Sequence, residues 1–165
     1  MIKKPFLSIL IVCTLSSGCA FKNQAGAHIN LFQMTVTAPV LATLKGDIFS
    51  GWATGYSDGT GVIEVQSEVE TNKHCVGEFR YVRRGVSGIG TMTCNDGAKA
   101  DFNFTALDSF SGYGYGSSTR GAVTFTFGLT PDQSSKYLLK PFPEVEKVTK
   151  KLLKKGPPAR VGVPK

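Results

Sequence analysis

The chain has 165 residues, is 41% hydrophobic and 19% charged, and contains 19 Gly, 11 Phe and a single Trp. This composition excludes a disordered acidic tail, a collagen-like repeat and a large multidomain enzyme, and it fits one modest globular domain. The net charge of +7 belongs to the ends: residues 131–165 hold nine Lys/Arg against three Asp/Glu, residues 1–18 add Lys3 and Lys4, and residues 19–130 hold eight against nine. A basic chain suggests nucleic acid or anionic membranes as partners, but here any such contact would fall to a terminal arm and not to the neutral body.

Residues 1–18 read as an address. Lys3-Lys4, an apolar run from Phe6 to Val12 and a small-residue site at Ser16-Ser17-Gly18 form a secretory signal, too short to serve as a transmembrane helix. Leu15-Ser16-Ser17-Gly18-Cys19 resembles the lipobox of bacterial lipoproteins, with the leucine one place earlier than in the commonest pattern. The resemblance implies that Cys19 is acylated, palmitate-type chains included, and becomes the first mature residue. Each buried methylene would add about 0.8 kcal/mol, so the anchor would be permanent. Ala20, in place of the aspartate that retains such proteins at the inner membrane, implies the outer membrane. The alternative is an ordinary cleaved signal with Cys19 unmodified. Residues 19–33 then read as a tether.

Cys75 and Cys94 are the cysteines left once Cys13 departs with the signal and Cys19 is lipidated. Two cysteines in an oxidising compartment more often pair than stay free, and closing this loop is worth about 3 kcal/mol in the chain-entropy model. A zinc site using His74 is the weaker alternative, because neighbours on a strand face opposite ways and one ligand is missing.

Residues 34–130 read as all-β. Apolar and polar residues alternate through Val62-Ile63-Glu64-Val65, Val76 to Tyr81, Phe102 to Thr105 and Val123 to Phe127, the period of half-buried antiparallel strands. Asp58-Gly59, Asn95-Asp96-Gly97 and Thr119-Arg120-Gly121 supply the left-handed backbone that tight hairpins need. The expected architecture is a small antiparallel meander or barrel of about seven or eight strands. Three segments overlay as one repeated hairpin: Ser50-Gly51 to Val65, Ser87-Gly88 to Phe104 and Ser111-Gly112 to Phe127. Gly88 and Gly90, then Gly112, Gly114 and Gly116, line one face of their strands, so rings must pack there. The expected rings are Phe79, Tyr81, Phe102, Phe104, Phe125 and Phe127.

Gly77-Glu78-Phe79, Gly88-Ile89-Gly90-Thr91 and Asp96-Gly97 also resemble the MORN repeat, a hairpin of spaced glycines and aromatics. The likeness spans residues 77–116 and breaks at Ala100, where glycine should recur. MORN arrays serve as protein or lipid contact surfaces, and no binding residue carries over from so short a match.

Few residues here suggest chemistry. Gly112-Tyr113-Gly114-Tyr115-Gly116 lacks the helix and the lysine or acidic partner of a phosphate cradle. His28 and His74 are the only histidines, and no Gly-x-Ser-x-Gly elbow accompanies them. Neither a catalytic set nor a metal site nor a cofactor is expected. Tyr113 and Tyr115 project opposite to the glycines and form the candidate recognition surface of the domain, for sugar rings or a peptide; the alternative is that both pack inside the barrel.

The C-terminal arm, residues 131–165, carries a predicted helix near 143–155. Pro143 and Glu144 suit its first turn, Val145, Val148, Leu152 and Leu153 form an apolar stripe, and Gly156-Pro157-Pro158 ends it. Lys147, Lys150, Lys151, Lys154, Lys155 and Arg160 are the candidate contacts to an anionic surface, either lipid or lipopolysaccharide phosphate or the acids of peptidoglycan. The alternative is a helix that simply docks with its lysines in water. The expectation is therefore a lipid-anchored envelope protein that binds or scaffolds, with no nucleic acid and a protein partner unidentified. An envelope hydrolase or enzyme inhibitor is the alternative, and a phage-type exclusion or immunity lipoprotein a third.

Overall fold

A computed structural model describes residues 26–30, 34–83, 85–138 and 142–158. The segment read as a signal, Cys19, most of the segment read as a tether, and Arg160 lie outside the described residues. The elements are β1 (His28–Asn30), β2 (Thr35–Leu44), β3 (Asp47–Tyr56), β4 (Thr60–Ser67), β5 (His74–Arg83), β6 (Ser87–Cys94), β7 (Lys99–Ala106), β8 (Gly112–Ser118), β9 (Gly121–Phe127), α1 (Pro131–Leu138) and α2 (Phe142–Lys155). Every strand pairs antiparallel with the next, and β9 returns to β2, with Val40 opposite Phe127 and Leu44 opposite Val123. Strands β2 to β9 thus close an eight-stranded barrel, which leaves no long edge unpaired. The ninth strand, β1, falls in the segment read as tether and pairs Thr35 to Thr37 of β2. Pro39 sits where that edge of β2 changes partner from β1 to β9. No donor is missed there, and the Pro39 carbonyl accepts from the Gly128 N–H at 2.9 Å.

The turns form where turn chemistry placed them. Asp58 accepts from both the N–H and the hydroxyl of Thr60, at 2.8 and 2.7 Å, and Gly59 adopts a φ of 87°. At the β6–β7 turn Gly97 adopts 82° and donates to the Cys94 carbonyl. The three predicted repeat units are the β3–β4, β6–β7 and β8–β9 hairpins. Each pairs its leading glycine with its last apolar residue: Gly51 with Val65, Gly88 with Phe104, Gly112 with Phe127.

The interior is packed by alternation between strands as well as along them. In sheet order, β5, β7 and β9 bring aromatics inward, whereas β6 and β8 bring glycines. Phe104 therefore stands beside Gly88 and Gly114, and Phe102 beside Gly90 and Gly116. A Cβ added to Gly88, Gly90, Gly112 or Gly114 would come within 2.2 to 2.5 Å of Phe104, Phe102, Phe127 or Phe125 respectively. Tyr81 stands opposite Gly88 and also leans on Phe79 and Phe104, with centroids 6.4 and 5.0 Å away. The space left inside is about 40 Å³, walled by residues such as Val40, Ile63, Phe79 and Phe125. Ligand pockets run to about 300 Å³ or more, so the barrel is a filled core and not a vessel. Cys75 and Cys94 face each other across β5 and β6 and are joined as a disulfide, with Cα atoms 3.8 Å apart. His74, facing the other way, is exposed.

A second apolar layer lies outside the barrel. Leu41, Ile48 and Trp52, on the outer faces of β2 and β3, bury against Leu138 of α1 and Val145, Val148 and Leu152 of α2. Helix α1 was absent from the sequence-based expectation. It begins with a reciprocal cap, in which Thr130 N–H donates to Gln133 Oε1 at 3.1 Å and Gln133 N–H approaches Thr130 Oγ1 at 3.4 Å. The uncovered wall carries exposed Glu64, Glu78, Arg80, Lys99 and Asp101. Exposed Val76, Val82 and Tyr115 lie among them, so the wall is mixed and lacks the continuous apolar band of a transmembrane barrel. No described helix is long and apolar enough to cross a membrane.

Candidate functional site

Helix α2 is amphipathic in a way that the docking makes directional. At about 100° per residue, Val145, Val148, Thr149 and Leu152 fall on one side, and all four are buried. Lys147, Lys150 and Lys154 fall on the other side, Lys151 and Lys155 on the flank next to Val148, and all five are exposed. Burial of the stripe against Trp52 and Ile48 fixes the rotation of the helix, so Lys147, Lys150 and Lys154 point away from the barrel while Lys151 and Lys155 flank the docked face near Glu68.

Not all five ammonium groups are equally available. Lys150 pairs with Glu146 one turn earlier, at 2.8 Å, with 69% of its side chain exposed. Lys151 Nζ lies 2.5 Å from Glu68 Oε2 beyond the end of β4, and the Ser50 hydroxyl of β3 donates to the other Glu68 oxygen. Glu68 therefore joins β3, the β4–β5 loop and α2 into one clamp. Burial pushes its pKa up, but the hydrogen bonds from Lys151 and Ser50 and the attraction of Lys151 and Lys155 outweigh that and hold the carboxyl below its ordinary value. Lys147, Lys154 and Lys155 enter no ion pair among the described residues.

The lowered Glu68 pKa predicts an acid sensitivity. Its contribution is complete above the ordinary glutamate value of about 4.3 and fades as pH falls through the lower folded-state value. A partly exposed pair of this kind is worth about 1 kcal/mol or less. Thermal melts from about pH 3 to 7 should show wild type losing stability on acidification, with Glu68→Gln less stable at neutral pH and less sensitive to acid. Parallel pH profiles for the two proteins would refute the clamp.

The tyrosines separate. Tyr113 and Tyr115 both face outward, which removes the alternative of a buried pair. Tyr113 is half-buried because Tyr137 of α1 stacks on it, with centroids 4.2 Å apart and planes 14° from parallel. Tyr115 is 63% exposed. Gly112, Gly114 and Gly116 lie within β8 with another strand following, so the glycine run cradles no phosphate. Among the described residues no three His, Cys, Asp or Glu side chains are grouped as metal ligands. His74 lines neither the interior cavity nor the outer groove described below.

What sequence reasoning missed was the receiving surface. Leu41 and Ile48 break the alternation of β2 and β3 by being apolar on the outer face, and a run apolar on both faces signals a strand covered twice. Compared with family models, with curated proteins and with solved structures, the chain matches none.

Proposed function

We propose that this protein is a lipid-anchored component of the bacterial envelope, outer membrane favoured, that works by binding and not by catalysis, with α2 as its contact to an anionic surface. The lipobox-like segment at Leu15 to Cys19 supports the anchor, and the disulfide accords with an oxidising compartment. The single observation that carries the binding reading is the lysine face of α2, held outward by a fully buried Val145 on the opposite side. Anionic headgroups, whether phospholipid or lipopolysaccharide phosphates, fit that face. Near a negative surface each lysine adds about 1 kcal/mol, screened by salt.

The test uses residues 20–165, without lipid, and vesicles with and without anionic phospholipid. Replacing Lys147, Lys154 and Lys155 by glutamate leaves the paired Lys150 and Lys151 in place. Co-sedimentation with anionic vesicles should weaken roughly a hundredfold and more steeply at low salt. Equal sedimentation of both proteins would end the proposal.

A further inference from the structure

The outer wall opposite the helices contains a groove of about 1070 Å³ running across β4 to β8. Two neighbouring cross-strand rows build its floor. One runs from Arg80 through Ile89 to Asn103, and the other from Glu78 through Thr91 to Asp101. The first row continues to Tyr115, which stands directly opposite Asn103 at the margin. Five strands at about 4.8 Å spacing make this floor about 19 Å long.

At one end of the groove Asp58 is committed to Thr60, but four polar side chains of the floor are not. Several charged side chains elsewhere find partners: Asp96 with Arg120 and Lys73, Glu70 with Lys73, Glu68 with Lys151, Glu146 with Lys150. The side chains of Glu78, Arg80, Asp101 and Asn103 make no hydrogen bond or ion pair among the described residues, although they share one concavity. The Tyr56 hydroxyl at its end is buried and also lacks a hydrogen-bond partner. Burial, with Asp58 and Glu64 nearby, pushes its pKa up, so it stays a neutral donor.

This mixture is informative. Arg80 only donates, Glu78 and Asp101 only accept, and Asn103 does both. A ring of hydroxyls, each donor and acceptor at once, meets such a set without leaving a charge unanswered. The apolar face of a sugar ring has Ile89, half-buried, and the exposed Tyr115 to lie on. A basic peptide would suit the carboxylates but would bring its charges against Arg80, which stands two residues from Glu78 on β5, one strand in from the β4 end of the floor.

We infer that the β4–β8 groove is a binding site for a glycan, several linked pyranose rings laid across the strands, hydrogen-bonded by Glu78, Arg80, Asp101 and Asn103 and flanked by Tyr115. This inference does not rest on the membrane role of α2. The full chain, solubilised in detergent and isotopically labelled, would be titrated with chitotetraose, cellotetraose and tetralysine while backbone amide shifts are followed. One of the tetrasaccharides should give saturable shifts centred on residues 78–80, 89–91 and 101–103. An Asp101→Ala, Asn103→Ala double variant with an otherwise unchanged spectrum should bind roughly tenfold more weakly, and Tyr115→Ala should weaken binding as well. Absence of saturation by either sugar up to about 10 mM, shifts clustered elsewhere, or saturation by tetralysine alone would overturn the inference.

Discussion

Replacing Phe104 by alanine should destabilise the protein by about 4 kcal/mol, the largest loss expected from any single side chain here. Phe104 is 5% exposed and is the hub of the aromatic interior. Its ring lies 5.0 Å from Tyr81, 5.6 Å from Phe79 and 6.0 Å from Phe127, in edge-to-face geometry each time. Truncation removes those contacts, and the glycines beside it have no side chain that could relax into the gap. The cavity cost therefore adds to the transfer cost in full. Equilibrium urea unfolding of wild type and variant would measure this, with an unchanged slope marking the same cooperative unit. A loss below about 1.5 kcal/mol would mean that the barrel collapses around the gap.

Adding one methyl group should be nearly as harmful. Gly114→Ala is expected to cost about 3 kcal/mol, at the upper end for overpacking. The new Cβ would stand 2.3 Å from the Phe125 ring and 2.4 Å from the Asn103 carbonyl oxygen, and the second obstacle is backbone. Shortening the ring should help without repairing the fault. Gly114→Ala combined with Phe125→Leu should therefore lose less than the sum of the two single changes, because they share one contact. Gly59→Ala is the useful comparison: nothing lies within 4 Å of its Cβ position, so its penalty comes from a φ of 87° alone and should be about 1 kcal/mol. If Gly114→Ala proved no worse than Gly59→Ala, the close approach of ring to strand would be refuted. Urea melts of wild type and the four variants decide the matter.

Both effects follow from one volume rule. Eight strands enclose room for a limited set of side chains, so a strand of rings must neighbour a strand of glycines. The sequence shows this directly in the spacing of Gly88 and Gly90 and of Gly112, Gly114 and Gly116, and in the rings that follow each set. The hairpin repeat was legible for the same reason: its glycines and rings must meet in register, and register is set locally by the turn. The disulfide was legible from the cysteine count and the export expected from the leading segment, and the register places Cys75 opposite Cys94.

The candidate sites were less legible. The lysine face of α2 could be read as a stripe, but which lysines are engaged depends on Glu68, 83 residues away from Lys151. Tyr113 and Tyr115 look equivalent in the sequence, and Tyr137 separates them by covering one. The groove could not be anticipated, because its floor draws two alternate residues from each of β5, β6 and β7 and no local pattern marks them. Helix α1 was missed although Thr130 and Gln133 spell a capping box, since eight residues give too little periodicity to stand out.

By itself, then, the sequence determined the class of fold, the turns, the order of the three repeated hairpins, the inward side of the clearly alternating strands and the presence of a basic terminal helix. These are local properties, carried by period-two alternation, by glycines that must turn and by a stripe at helical spacing. Only the tertiary structure decided that β9 meets β2, that α1 and α2 cover Leu41, Ile48 and Trp52, and that Glu78, Arg80, Asp101 and Asn103 come to share a groove on the opposite wall. Closure and covering join residues far apart in the chain. They are settled by which surfaces can be buried together, and that comparison exists only once the strands have been brought side by side.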